Sequence, residues 1–423
     1  MLRFAFSLGT DMHIGDLRVA LFNYLIAKQC QEDLVIRIED ANKESDTKGR
    51  DQEILELFGL FGIEYSQVIY QSKNFRFHSA MALQLLHEKK AFSCFCSNEW
   101  LEKKFQEAKR MKQAYRYDDA CRNLPAELVI DNTAPFTVRI TRPNESIVIY
   151  DKIKGDISFD PDVIESFVIM NQDKTPTYNF ACAVDDMLSD ISMIVCSEDH
   201  RDNTLKQIHI RNRLGYEKKI EYAYIPAIID EDTISVKGLL EQGYLPEAIL
   251  NYLISIGNTP LREIFTLKEA KKWFTLNTIS NSPTRFDIDM LKHINKEHMK
   301  IMDATELSRY VGFADADIGE LARIYLKEAG TTCELKEKIA SIFAPKDIPK
   351  TFSKQVATMK EAIIQAPYFK EYDDFKAYIT KKTGLVDKNF VTPLRILLTN
   401  AEDGPDIADI YNYLKNYIRK IVK

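Results

Sequence analysis

His13, Ile14 and Gly15 stand between a strand-like run, Leu2–Phe6, and an apolar stretch, Leu17–Lys28. A glycine at such a switch lets the backbone approach a ligand. The amides of the following helix point at phosphate, and an imidazole can hydrogen-bond an oxygen. A His-x-Gly triplet is short enough to arise by chance, so its meaning rests on its neighbours. Those are Arg3, Ala5 and Ser7 just ahead, and Arg37-Ile38-Glu39-Asp40 after the next strand-like run. Far downstream come Pro176-Thr177-Tyr178-Asn179-Phe180-Ala181, then Glu198-Asp199-His200 and Asn203-Thr204. A separate cluster pairs Cys94-Phe95-Cys96 with Cys121, 24 intervening residues later, and with Tyr117 four positions before that cysteine.

Strands and helices in alternation must position these groups. "LRFAF", the helix Leu17–Lys28, "LVIRIED" and the helically spaced Ile54, Leu55, Phe58, Phe61 and Ile63 give a βαβα order. That order predicts a parallel sheet covered by helices. Residues 76–175 break the rhythm with a charged helical stretch over about 98–116 and the β-like segments "FTVRI" and "SIVIY". They read as an insertion with a small core of its own. The α/β character returns with "TPTYNFACAVDDM" and "DISMIVCSEDH", then a helical run through Leu214. Beyond about residue 230 the chain turns helical. "GYLPEAILNYLISIG" has Pro246 near a helix start and Gly257 just past its end.

With 423 residues the chain is too long for one core, and two to four domains are expected. Hydrophobic residues at 45% and charged residues at 28% describe a globular protein. Seven scattered cysteines suit a reducing compartment better than a disulfide framework. No leader-like pattern and no run near the roughly 18 apolar residues of a membrane span is seen, so a cytoplasmic protein without a membrane partner is expected. A net charge of −6 argues against indiscriminate nucleic-acid binding but leaves room for local patches. Lys103, Lys104, Lys109, Arg110, Lys112 and Arg116 form one cationic cluster. Lys415, Arg419, Lys420 and Lys423 form another, interleaved with Tyr411, Tyr413 and Tyr417. Either cluster is an RNA contact or a solvated helix face.

Taken in order, these motifs resemble the bacterial-type glutamyl-tRNA synthetases, which are class I aminoacyl-tRNA ligases. The likeness runs through "FDIDMLKHINKEH" to "PLRILLTNAEDGP" near the C-terminus. It implies a Rossmann-like α/β catalytic domain split between 1–75 and 176–230, with an inserted α+β acceptor-end domain at 76–175. A helical stem-contact domain at 231–305 and an all-α anticodon-binding domain at 306–423 would follow. The resemblance implies that Arg3, Ala5, Ser7, Glu39, Tyr178 and Asn179 line the glutamate pocket, a cation meeting the substrate carboxylate and Glu39 its ammonium. His13 and Gly15 would act at ATP, bound with Mg, and Asp199 would also lie in the ATP site. The partners implied are L-glutamate and a tRNA of the glutamate or glutamine acceptor type, with the chain a monomer. Some relatives hold zinc with a similar Cys-x-Cys and a later cysteine. Asn123 replaces the histidine that often follows, so Cys94, Cys96, Cys121 and Tyr117 would be the ligand set, with three unliganded thiols the equal alternative.

The chain departs from the family pattern where ATP phosphates are handled. Relatives carry a Lys-Met-Ser-Lys-type loop after the second α/β half. Here "YAYIPAIIDEDTISVKGLLEQGYLP" has no lysine or arginine from Ile220 to Val236, and Glu221, Asp230, Glu231 and Asp232 instead. Cys196 occupies the place of a substrate-contacting arginine, and a thiol has no cationic fork. Phe6-Ser7-Leu8-Gly9-Thr10 replaces Pro-Ser-Pro-Thr-Gly, and Asp16, a good N-cap residue, brings negative charge to the phosphate end of the helix. Losing one preorganised transition-state donor costs roughly 3–4 kcal/mol, about 10²–10³ in rate. Two main readings follow. The chain is an ATP-dependent glutamate–tRNA ligase working with an altered loop, or a catalytically inactive paralogue that binds tRNA or regulates. A nucleotidyltransferase acting on another acid is a remoter third.

Overall fold

A computed structural model of the chain describes residues 1–41, 49–229 and 234–422. Five parallel strands form the central sheet in the order Glu221–Ile225, Met193–Ser197, Leu2–Ser7, Leu34–Glu39, Gln67–Tyr70. From the central strand, Leu2–Ser7, the chain first builds outward on one side through Leu34–Glu39 and Gln67–Tyr70. Much later it returns to build the other side through Met193–Ser197 and Glu221–Ile225. The reversal of strand order opens a crevice at the carboxyl ends of the two central strands, where open α/β sheets hold ligands.

The alternation within the strands decides what faces that crevice. In the register Ala5 lies beside Arg37 and Ser7 beside Glu39. Arg3, Ala5 and Ser7 therefore share a face with Arg37 and Glu39. Phe4 and Phe6 point the other way, Phe4 edge-on to Phe58 at 5.5 Å. Helix Ile14–Cys30 buries 11 of its 17 residues, as expected of a helix enclosed on most sides rather than lying on a surface. Helices Tyr178–Leu188 and Arg201–Arg213 pack on each other and bury Phe180, Val184, Leu205 and Ile210 in the same cluster as Ile194, Cys196, Tyr222 and Tyr224.

The insertion contributes an antiparallel sheet, Ala91–Cys94, Thr137–Ile140 and Val168–Met170, and a ladder of Ile147–Ile149 with Ile157–Phe159. It has a core of its own only in part. Phe92, Cys94 and Tyr117 form a separate small cluster, whereas Ile140, Ile149 and Ile169 join the core beneath the parallel sheet. Short strands of three or four residues bury too little apolar area to stand alone.

By backbone proximity the chain divides into two compact units, Met1–Val236 with Leu253–Phe286, and Lys237–Tyr252 with Asp287–Lys423. The second unit has no strand among its described residues. Its helices Ala304–Tyr310 and Ala316–Ile324 approach so closely that a Cβ on Gly319 would lie 1.8 Å from the Ala304 carbonyl oxygen. In the same unit buried Asn295 accepts from the Leu245 amide at 2.8 Å and donates to the Gly330 carbonyl at 2.7 Å, so the polar group is paired. Among the described residues no helix is long and apolar enough to cross a membrane.

Candidate active site

The crevice holds a cavity of about 400 Å3. Arg3, Ala5, Ser7, His13, Gly15, Glu39, Tyr178 and Asp199 line it, so eight residues of a dispersed sequence pattern meet in one place. Asn179 does not reach the wall. Its amide donates to Asn203 and accepts from Gln207, each at 3.2 Å, and so fastens helix Tyr178–Leu188 to helix Arg201–Arg213. Asp40 is likewise occupied, accepting from the Ser72 amide at 2.8 Å and its hydroxyl at 2.6 Å.

At the phosphate-like end, His13 caps helix Ile14–Cys30. Its Nδ1 accepts from the Gly15 amide at 3.1 Å, and its own amide donates to Asp16 at 3.1 Å, completing a capping box. The expected N-cap role of Asp16 thus falls to His13. A β-carbon on Gly15 would lie 3.2 Å from that Nδ1, a tight contact that the ring would have to relieve by a few tenths of an ångström. With Nδ1 accepting, a neutral His13 ring carries its proton on Nε2. Burial pushes the Asp16 carboxyl up, against the pull of His13. The Ile14 amide donates to the Ile234 carbonyl at 3.2 Å and the Val236 amide to the Met12 carbonyl at 2.9 Å. Ile234 and Val236 are therefore paired with the His13 turn. Asp230, Glu231 and Asp232 of the acidic substitute for the lysine loop, and Lys423 of the C-terminal cluster, lie outside the described residues. Among the lining cations, Arg18 donates to the carbonyls of Pro226 and Ile256 at 3.0 and 2.8 Å.

The other end of the cavity is built on Asp186, a residue without an assigned role in the sequence reading. This buried carboxylate accepts from Arg3 Nε at 3.0 Å and Nη2 at 3.3 Å, and from Arg37 Nη1 at 2.6 Å. Arg37 also donates to Glu39 at 3.0 Å, and the Cys182 thiol donates to the same Glu39 oxygen at 3.4 Å. Burial by itself would raise the Asp186 pKa, yet Arg3 and Arg37 hold it down at about 2. Burial likewise opposes the Arg3 charge, and Asp186 more than offsets it. A buried guanidinium without such a partner would cost several kcal/mol. The signal for Asp186 was available, because Tyr178, Cys182 and Asp186 recur at four-residue spacing on one helix face. Cys196, where the family resemblance expects an arginine, is pushed up to about 12 by burial and is an uncharged thiol.

In the insertion the Sγ atoms of Cys94, Cys96 and Cys121 all lie within 4.8 Å of one another. The Tyr117 hydroxyl sits 3.3 Å from Cys94 Sγ and 3.5 Å from Cys96 Sγ, and Cys96 and Cys121 are 3.5 Å apart. Four candidate donor atoms converge, as a tetrahedral site with metal–sulfur bonds of about 2.3 Å requires. The Arg139 guanidinium stacks over the Tyr117 ring at 3.9 Å and supplies positive charge beside the thiols.

Residues 1–293 match the family model described as tRNA synthetases class I (E and Q), catalytic domain. The chain belongs to that family. The synthetase is 63% identical over its full length, and the full length of the relative, to "Glutamate--tRNA ligase 2" of Sulfurimonas denitrificans. It is 48% identical, again end to end, to "Glutamate--tRNA ligase 1" of Nitratiruptor. Both alignments run over 432 positions, nine more than this synthetase has residues, so the relatives carry positions that it omits. Among solved structures, a glutamate tRNA ligase from Elizabethkingia meningosepticum, crystallised with its amino acid, superposes with a TM-score of 0.84. That match covers 100% of this synthetase and 98% of the other chain at 22% identity, a likeness of fold.

Proposed function

We propose that this synthetase is an ATP-dependent glutamate–tRNA ligase. The single observation that carries the reading is the cavity itself. It has a guanidinium-and-carboxylate end, Arg3 (held from behind by Asp186) and Glu39, and a helix N-terminus capped by His13 at the other. Arg3 faces a substrate carboxylate and Glu39 its ammonium, with Ala5, Ser7 and Tyr178 shaping the wall. His13 and Gly15 lie against ATP at the positive end of the helix dipole, and Asp199 lies in the ATP site. Mg supplies charge neutralisation on the triphosphate. The glutamate α-carboxylate attacks the α-phosphorus and pyrophosphate leaves. The terminal ribose hydroxyl of the tRNA then attacks the acyl carbon, loses its proton, and AMP leaves.

The names of the full-length relatives support this reading, under which the catalytic domain is split between 1–75 and 176–230. On the same reading 76–175 grips the acceptor end, 231–305 contacts the stem and 306–423 binds the anticodon. Cys94, Cys96, Cys121 and Tyr117 hold a structural zinc that braces the insertion. A second reading, an inactive tRNA-binding paralogue, is favoured by one observation, the absence of any lysine or arginine from Ile220 to Val236.

Glutamate-dependent ATP–pyrophosphate exchange, run with and without tRNA, separates the two. Exchange above the glutamate-free background is expected. Its absence under both conditions, alongside tight tRNA binding, overturns the ligase reading in favour of the second.

A further inference from the structure

Behind the amino-acid end of the cavity stands a third guanidinium that neither the motifs nor the cavity wall reveals. Arg211 is 4% exposed. It follows Thr204 and Gln207, both cavity-lining, on one face of helix Arg201–Arg213. Its Nη2 donates to the Tyr222 hydroxyl. Its Nη1 makes no hydrogen bond and lies 3.9 Å from Asp186 Oδ2. Tyr222 is itself buried and lines the cavity, side by side with Ile194 in the strand register and two residues before Tyr224, which pairs with Cys196. Cys196 leaves that part of the wall without charge.

A phenol oxygen that accepts from a guanidinium keeps its single hydrogen for another acceptor. Among the described residues no acceptor takes the Tyr222 hydrogen, and the cavity lies against the residue. Arg3, bidentate on Asp186 through Nε and Nη2, has Nη1 outside that pair. Asp186 Oδ1 accepts from both Arg3 and Arg37, and Oδ2 accepts from Arg3 with Arg211 Nη1 at 3.9 Å, so three guanidinium groups surround the one carboxylate. Around Asp186 and Tyr222 this corner therefore carries more donors than acceptors. A carboxylate offers only acceptors there, whereas a carboxamide must set its own N–H groups against N–H and O–H.

We infer that Arg211 is a positioning residue that fixes the Tyr222 hydroxyl as a donor into the cavity, and that this pair selects a substrate side-chain carboxylate over a carboxamide. The inference rests on the reading of the cavity as an amino-acid site. It gives that site a cation from helix Arg201–Arg213 where position 196 has none.

Equilibrium dialysis of the full-length protein against labelled L-glutamate and L-glutamine tests it without requiring turnover. Wild type is expected to prefer glutamate. Tyr222→Phe, which removes one oxygen and keeps the ring, is expected to weaken glutamate binding about 10- to 100-fold and glutamine binding less than about 3-fold. Arg211→Met is expected to do the same, and Arg211→Lys, whose ammonium can still donate to the phenol, to recover most of the loss. An equal loss for both ligands, an unchanged glutamate-to-glutamine ratio in Tyr222→Phe, or a wild type that binds neither overturns the inference. Selective loss of glutamate binding without pyrophosphate exchange sinks the ligase chemistry and leaves the inference standing. Robust exchange with an unmoved ratio does the reverse.

Discussion

His209 shows how much a single buried side chain contributes to the pH response of this protein. Its Nε2 lies 2.6 Å from the Thr141 carbonyl oxygen, which fixes a neutral ring with its hydrogen on that nitrogen. Burial holds its pKa down at about 4, against an ordinary value of 6.5. The folded state therefore binds this proton less readily than the unfolded chain. The stabilisation is complete above pH 6.5 and is lost as pH falls from 6.5 through 4, by up to about 3 kcal/mol. Chemical denaturation at pH 7.5 and pH 4.5 should show most of that loss, and His209→Gln should reduce the difference between the two. An identical difference in the variant would assign the acid sensitivity elsewhere. Asp186 acts lower on the scale. With its pKa held at about 2, its share persists above pH 3.8 and disappears only as pH falls through 2.

At the scale of elements, two short pieces hold the insertion together around the cysteines. Strand Ala91–Cys94 supplies the first cysteine, Cys96 follows two residues later, and the turn after Tyr117 brings Cys121 back. The local apolar cluster of Phe92, Cys94 and Tyr117 is too small to fold this corner by itself, so a metal would carry a large part of its stability. Protein purified without chelator should contain one zinc per chain by elemental analysis. Cys96→Ser should lower that to well below half and make residues near 94–121 the first site of proteolysis. Full ordering of this segment in a metal-free preparation would remove the zinc. Helix Asn98–Arg110, which follows Cys96, has no buried residue, and its exposed Lys103, Lys109 and Arg110 give one of the two cationic clusters.

For the whole molecule, the net charge of −6 means that under the proposed function a tRNA would be held by local patches against a repulsive total. Six to ten phosphate contacts would weaken binding about 10³- to 10⁵-fold between 50 and 200 mM salt. Filter binding across that range should give such a slope, and Lys109→Glu with Arg110→Glu should flatten it by about two contacts. A salt-independent affinity would count against tRNA as the partner. In the second unit Arg419 donates to the Ala366 carbonyl at 2.7 Å and Lys415 to the Lys370 carbonyl at 3.4 Å. Part of that second cluster therefore works as helix bracing, and exposed Lys420 is better placed for RNA.

The sequence by itself determined the βαβα frame, the helical second half, the family and eight residues of the cavity wall. Those features are written in periodicity and in motifs short enough to act locally, such as His13-Ile14-Gly15 and Arg37-Ile38-Glu39. Only the tertiary structure decided how the charges are matched. Arg3, Arg37 and Arg211 meet Asp186 from three separate segments of the chain, and Arg211 finds the Tyr222 hydroxyl across a helix–strand packing contact. It also decided that Asn179 serves as a brace, that His13 rather than Asp16 caps the helix, and that the insertion shares the main core. A hydrogen bond between distant segments leaves no period in the chain. Its energy depends on burial and on which partner arrives first at each lone pair, and both are set only when the elements pack.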